Sequence, residues 1–367
     1  MYAVPRLIQF VSHFAPTRCG VGDYARLLGA EWRRQQGGHS RILVADDNWP
    51  EGEQPAGWEV RRLRRRRETW ADLAEQPPVG AVLQYSGYGY ARRGAPLWLL
   101  PTLQSFKRRF PKVPLITMFH EVAASGPITT SAFWLRPLQL YVARRLRELS
   151  DAALTNCEVN AKALNAVSSH ILRQLVILPV VSNFGELDNG ESWSERVRRI
   201  VVFNSNFGGQ MPGANYWQGL ADGVRRAKVS EVIMIGRPVL VPAGLNFPVV
   251  QPGFLTAEEV SAILAKSAFG HVFHGPLLLG KSGIFAAFAA HGVVPLIQTV
   301  METLPDGLVA GRTYLALRHE FPCGDDTAYF DQISRNVREW YMPHGLAATA
   351  EVYADLIERH KQEGCLS

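Results

Sequence analysis

Between Phe273 and Gln298 the chain reads FHGPLLLGKSGIFAAFAAHGVVPLIQ. A Gly-Pro loop leads into Gly280-Lys281-Ser282-Gly283, then a helical block from Ile284 to His291 made of small and aromatic residues, a stop at Gly292 and a strand-like run from Val293 to Ile297. A helix that is apolar on every side has to be buried. The order loop, buried helix, strand therefore calls for a layered α/β domain. A helix beginning near Gly283 leaves backbone N–H groups facing the loop, its dipole adds partial positive charge, and Lys281 and Ser282 supply a cation and a hydroxyl. Phosphate is the ligand these groups suit.

Gly275 to Ser282 also satisfies the spacing G-x-x-x-x-G-K-S of a P-loop, the mark of a nucleoside-triphosphate hydrolase or kinase. Such a loop must wrap its backbone around phosphates, whereas positions 276–279 are a proline and three leucines. The next strand ends at Gln298, with no Asp to hold Mg²⁺.

The N-terminal end carries a second glycine signal. Leu7 to Phe14 reads as a buried strand, Gly20-Val21-Gly22-Asp23 opens a helix that stops near Gly37-Gly38, and Ser40 to Ala45 is the next strand. Strand, glycine turn, helix and strand make a βαβ unit, which places ligands at the C-terminal ends of a parallel sheet. Gly20, Gly22 and Ala25, with Asp46 about twenty residues on, also fit the dinucleotide fingerprint. A nicotinamide-dependent oxidoreductase is thus a rival, although five residues including Pro16 separate the strand from Gly20.

The rest of the first half continues in the same style. Glu68 to Glu75 is expected as a helix, Ala81 to Tyr85 as a strand entering the loop Gly87-Tyr88-Gly89-Tyr90, and Leu97 to Phe110 as an amphipathic helix. Val113 to Phe119 is a strand that delivers His120-Glu121 to the edge where ligands bind. The Ser, Thr and Gly-rich run from Val122 to Phe133 is a candidate acceptor-contacting loop, followed by a helix from Leu135 to Leu149. A polar stretch after Val181 sets the domain boundary near Gly185. The second half repeats the pattern: a strand over 200–204, a loop with Asn206, Gly208, Gly209 and Gln210, a helix from Asn215, a strand ending at Gly236-Arg237, and a helix from Thr256 to Ser267. Arg237 suits bidentate phosphate contact. Helices over 327–341 and 346–360 close the chain.

Charge divides unevenly between the halves. Residues 1–185 hold 24 Lys and Arg against 14 Asp and Glu, and the remainder holds 15 against 19, a balance of +10 and −4 that gives the overall +6. The densest run is Arg61, Arg62, Arg64, Arg65, Arg66 and Arg67. A basic half of this kind fits a solvated surface, an anionic lipid surface, an anionic acceptor or nucleic acid. The four cysteines show no metal or redox spacing and fit a reducing compartment. No signal peptide or membrane span is read from the N-terminal run, so the expected location is the cytoplasm, with a peripheral place at the inner face of the membrane left open.

The 273–298 block and the run LITMFHEVAASG around His120 resemble the two-domain retaining glycosyltransferases of the family-4 type, in a bacterial branch. The resemblance implies an α/β fold of two Rossmann-like domains facing across a cleft, called GT-B. Residues 1–185 would form the acceptor side, 186–345 the nucleotide-sugar donor side, and 346–367 a helix packing back on the first domain. It implies transfer of a sugar from a nucleotide diphosphate sugar, without a metal or a separate cofactor, to a glycan, lipid-linked or other acceptor. Cell-surface polysaccharide or glycoconjugate synthesis is the expected setting, and nucleic acid is not an expected partner. By motif position, His120 would contact the sugar, and Gly20, Gly22, Asn206, Arg237, Gly280, Lys281, Ser282, Gly283 and Glu302 would bind the donor. The family's two glutamates fall on Leu279 and Ala287, and its Arg and Lys after the first strand of the second domain give way to Asn206 and Gln210. A catalytically degenerate nucleotide-sugar-binding scaffold is therefore the main alternative, ahead of the oxidoreductase and the P-loop protein.

Overall fold

The structure, a computed structural model, describes residues 6–17, 19–50, 55–64, 70–124, 126–169, 175–187, 192–204, 213–273, 275–319 and 326–366. The chain divides into two compact units, Met1–Pro179 with Leu346–Ser367, and Val180–Gly345.

The first unit is built on a parallel sheet of β1 (Arg6–Val11), β2 (His39–Val44), β3 (Glu59–Arg62), β4 (Gly80–Tyr85), β5 (Leu115–Phe119), β6 (Ala152–Thr155) and β7 (Leu175–Ile177), in the order β3-β2-β1-β4-β5-β6-β7. Leu7, Ile8, Phe10 and Val11 are all fully buried, as expected of a strand covered by helices on both faces. Its helices are α1 (Gly20–Gln36), α2 (Ala71–Ala74), α3 (Gly87–Tyr90), α4 (Leu99–Arg109), α5 (Ser131–Leu149) and α6 (Glu158–Val167). α1 stops where Gly37 turns left-handed at φ 61° and donates its N–H to the Arg33 carbonyl, a conformation in which glycine has no steric penalty. α5 begins four residues before the expected Leu135, so Pro137 lies inside the helix rather than in its first turn.

The second unit repeats the plan with β8 (Val197–Asn204), β9 (Glu231–Gly236), β10 (Val249–Gly253), β11 (Ser267–Val272), β12 (Val294–Ile297) and, after a small antiparallel hairpin of β13 (Thr303–Leu304) and β14 (Leu308–Val309), β15 (Leu315–Ala316). The main sheet is parallel and runs β10-β9-β8-β11-β12-β15. Its helices are α7 (Ala214–Arg226), α8 (Ala257–Ala265), α9 (Gly283–Ala290) and α10 (Thr327–Tyr341). α8 is closed by a capping box, Thr256 accepting from the Glu259 N–H and Glu259 from the Thr256 N–H. The last helix, α11 (Leu346–Leu366), belongs to the first unit. Tyr353 meets Tyr24 with hydroxyls 3.4 Å apart, and Gln35 donates to the Ala347 carbonyl.

Both main sheets have the doubly wound order, 3-2-1-4-5-6 counted over the strands of each sheet, with a seventh strand at the edge of the first. The chain reverses direction between β1 and β4 in the first unit and between β8 and β11 in the second. Crevices outside the carboxyl ends of the strands at those two points are where a ligand is met in such sheets.

Candidate functional site

In the second unit, β11 feeds a short 3-10 turn over Pro276–Lys281, and α9 starts at Gly283. The turn answers the P-loop question. Leu278 and Ser282 spend their N–H groups on the carbonyls of Gly275 and Leu279, and Leu279 and Gly280 are buried. The backbone coils on itself instead of opening around a phosphate chain. The Gly280 carbonyl accepts from the Val180 N–H, which ties the turn to the first residue of the unit.

What remains open to a ligand is the start of α9. Ser282 is its N-cap, with Oγ accepting from the Phe285 N–H at 3.2 Å. The N–H groups of Gly283 and Ile284 precede any intrahelical acceptor, and Lys281 stands one residue before the cap, only partly buried. The expected anion groups at Gly280, Lys281, Ser282 and Gly283 thus occupy one helix start, two of them partly spent on structure. Arg237 is exposed immediately after β9, two strands from β11. Gly236 aims it by turning at φ 115° against the Asn204 backbone, 3.3 Å from where a Cβ would sit, so only glycine fits.

At the switch point itself, Asn204 ends β8 with its Nδ2 buried and unpartnered, while its Oδ1 lies 3.4 Å from the Tyr216 hydroxyl. On the neighbouring strand the His271 ring is fully buried with neither nitrogen hydrogen-bonded, and burial pushes its pKa down to about 4, so it is neutral at pH 7. Asn206 lies outside the described residues. Glu302 is exposed and lines a 280 Å³ cavity with Thr303, Gly311, His319 and Tyr329, a cavity that does not include the start of α9. That lining does not bring Glu302 together with Lys281. Leu279 and Ala287, where the resembled family carries glutamates, are fully buried members of the core.

The second unit also holds a residue that sequence reasoning misses. Asn183, in the run Val180–Glu186, places its Nδ2 3.6 Å from the Cβ position of Gly283. Its only signal was a polar stretch after a strand, which reads equally as a linker.

In the first unit, His120 follows β5 and is buried. Its Nε2 pairs with Gln84 Oε1 at 2.9 Å. Gln84 donates to Gln9, and Gln9 donates in turn to Ser40 and to the Ala25 carbonyl, a polar row crossing β5, β4, β1 and β2. The ring also packs edge-on against Tyr24 at 5.1 Å. Gln84 and Tyr24 thus fix the imidazole at the carboxyl end of the sheet, and Nε2 reaches a substrate only by giving up Gln84.

Gly20 and Gly22 open α1, in different surroundings. A Cβ at Gly20 would meet nothing within 4 Å, whereas one at Gly22 would lie 2.6 Å from the His13 carbonyl oxygen. Gly22 is a packing glycine that seats α1 against His13 and Phe14, just after β1. β1 ends at Val11, further from Gly20 than the expected end at Phe14, which weakens the dinucleotide fingerprint again. Asp23, in the same turn, has its carboxyl raised above the usual range by burial, with Arg26 opposing, a perturbation common among functional carboxylates. Of the Gly87–Tyr90 segment, expected as a loop, Tyr90 is buried and donates to the Phe10 carbonyl, while Tyr88 stays exposed. The arginine run is partly neutralised: Arg61 and Arg41 share Asp72, and Arg65, Arg66 and Arg67 lie outside the described residues.

Among the described residues no three His, Cys, Asp or Glu side chains gather as they would around a metal ion. No family model matches the chain, and no curated protein does. Solved structures do match. A glycosyltransferase from Rickettsia africae aligns over 98% of this chain and 99% of its own with a TM-score of 0.59 at 9% identity. An alpha-glucosyltransferase in complex with UDP and a 13-mer DNA containing a HMU base aligns over 97% and 100%, with a TM-score of 0.56 at 11% identity. A putative UDP-N-acetylglucosamine 2-epimerase from Listeria monocytogenes aligns over 98% and 97%, with a TM-score of 0.50 at 11% identity. The likeness is one of fold, and the chain has the GT-B fold of these proteins.

Proposed function

We propose that the protein is a glycosyltransferase that takes its sugar from a nucleotide diphosphate sugar. The observation that carries the reading is the edge of the second sheet, where the N-terminus of α9, Lys281 and Arg237 all follow the carboxyl ends of parallel strands. Breaking the bond between the anomeric carbon and the diphosphate leaves charge on the departing phosphates, and donors fixed in place before that charge forms lower the barrier. Two cations and a helix start suit the task, which is the basis for proposing a metal-independent reaction. UDP in the alpha-glucosyltransferase structure supports a nucleotide ligand for the same fold.

Retention of anomeric configuration, a hexosyl donor, and a glycan or lipid-linked acceptor in bacterial cell-surface synthesis complete the proposal, with the work done in the cytoplasm. In the first unit His120 is the group offered to substrate, and the basic charge of that unit favours an anionic surface. The buried Leu279 and Ala287 support a second reading, a binding protein without turnover.

Thermal-shift screening of UDP, GDP, ADP, their common sugars, ATP and NAD against the wild type and Lys281→Ala tests the nucleotide site, because a ligand that binds only the native state raises its apparent stability. One nucleoside diphosphate and its sugar should stabilise the wild type and fail with the variant. Stabilisation by ATP or NAD alone would refute the reading. Following the bound sugar nucleotide by NMR then separates transfer or hydrolysis from epimerisation and from inert binding.

A further inference from the structure

We propose that α5 and the turn before it dock the protein on an anionic lipid bilayer. The proposal rests on the transferase reading for what docking serves and on the following residues for docking itself. Val142, Ala143 and Leu146 turn one face of α5 into the core. The other face should be polar in a helix that meets only water. Instead Trp134, Pro137 and Tyr141 follow one another at helical spacing on the exposed side, with Phe133 beside them and Ile128 in the preceding turn. Trp134 is 67% exposed, Ile128 61%, Tyr141 50% and Phe133 41%.

The knob is held in place. The Trp134 indole N–H donates to the Ile128 carbonyl at 2.8 Å, and the Phe133 ring meets the Trp134 ring edge-on at 5.4 Å. The indole has spent its polar atom within the protein and presents its apolar body outward, the arrangement that suits a headgroup boundary.

The charge around the stripe selects the kind of surface. From Ser86 to Glu148 the chain carries ten Lys and Arg against two Glu. Arg92 and Arg93 are exposed and have no ion pair among the described residues. Gln139 of α5 donates to the Arg93 carbonyl, which holds their loop against the helix. Further along the exposed face Arg144 and Arg145 share the single carboxylate of Glu148. Aromatic residues with uncompensated arginines match an anionic bilayer surface better than a neutral one. No helix among the described residues is long and apolar enough to cross a membrane, so the contact proposed is one of lying on the surface.

Co-sedimentation of the full chain with vesicles of phosphatidylcholine alone, and of phosphatidylcholine mixed with phosphatidylglycerol, tests the proposal. Binding should require phosphatidylglycerol and fall with salt. It should weaken about tenfold or more when Phe133 and Trp134 are both changed to Ser, and about fivefold for each of Arg92→Ala and Arg93→Ala. Tyr141→Ser provides a second, milder change should the double variant lose its fold. Equal binding to both vesicle types, or undiminished binding by folded variants, overturns the proposal. So does a wild-type dimer that the variants convert to monomer, which would make the stripe a contact between copies. Thermal shift with UDP and GDP runs alongside: nucleotide binding without vesicle binding overturns docking alone, and vesicle binding without nucleotide binding supports docking while removing the transferase reading.

Discussion

Ser282 caps α9 and stands where a diphosphate is proposed to bind, and three substitutions there separate the two roles. Ser282→Ala removes the acceptor of the Phe285 N–H, which costs about 1 kcal/mol and should lower the melting temperature by about 2–4 °C for a unit of this size. The nucleotide would still find the N–H groups of Gly283 and Ile284 and the Lys281 ammonium, so affinity should fall only a few-fold. Ser282→Asp keeps a cap and adds a negative charge at the positive end of the helix, which favours the folded state by about 0.3–1 kcal/mol. The same carboxylate repels a phosphate. At about 4 Å and an effective dielectric near 20 the repulsion is about 4 kcal/mol, or roughly a thousandfold in affinity. Ser282→Asn, a cap of the same shape without the charge, isolates size from electrostatics. Calorimetric titration with the nucleoside diphosphate found by screening, together with melting curves, reads both properties. A folded Asp variant that binds within about threefold of the Asn variant would place the diphosphate elsewhere, because no screened geometry leaves a carboxylate at that cap indifferent to it.

Two further outcomes follow from burial and packing. His271, His291 and His344, all in the second unit, have their pKa pushed down to about 4, chiefly by burial. A folded pKa below the unfolded value near 6.5 means that stability is complete above pH 6.5 and is lost as pH falls toward 4. At pH 5 the loss is about 2 kcal/mol per histidine, or about 6 kcal/mol together. Protection factors of the β8 and β11 amides, corrected for the intrinsic pH dependence of exchange, should fall steeply between pH 7.5 and 5, and His271→Leu should remove about a third of the dependence; a flat profile of protection would contradict it. Gly22→Ala should destabilise the first unit by about 2 kcal/mol in urea melts, since its Cβ would press on the His13 carbonyl, whereas Gly20→Ala has open space and no such clash. Equal losses from the two would refute the packing role assigned to Gly22.

The parts of the fold that were legible in the sequence are those whose signal is local. The buried strands around Leu7–Val11 and Ala81–Tyr85 are apolar runs interrupted only by Gln9 and Gln84, and α10 is expected at the Thr327–Tyr341 span it occupies. β11 was not legible. Its run SAFGHV has a glycine and a histidine near its end and no alternation, and the expected helix over 256–267 overran its start. The reasons for those residues are tertiary: a Cβ at Gly270 would lie 2.6 Å from the Phe288 ring of α9, and His271 is enclosed beneath Tyr216. The same limit applies to the candidate site. Lys281 and Ser282 announced themselves through glycine and charge, and Arg237 through its place after a strand. Asn183 lies about a hundred residues from Gly283 along the chain, and only the fold brings them together.

Leu279 and Ala287 bear on whether such a site turns over. Were they merely exposed non-acidic residues, the missing carboxylates could be read as a simple loss of function at an unchanged surface. They are instead core residues, packed with Phe285, Phe288 and Val293. A carboxylate at either place would be buried without a partner, at a cost that a folded unit does not carry. The helix has therefore closed over those positions, and any contact with ribose or sugar hydroxyls has to come from groups that face outward at the same edge. Asn183 beside Gly283 is one such group, an uncharged amide that can both donate and accept. On the proposed reading, neutralising a leaving diphosphate would ask nothing of the absent glutamates, since it would depend on the helix start and on Lys281 and Arg237. The absence of the glutamates would then bear on how a sugar is recognised more directly than on the electrostatics of departure, and it is the latter that transfer requires.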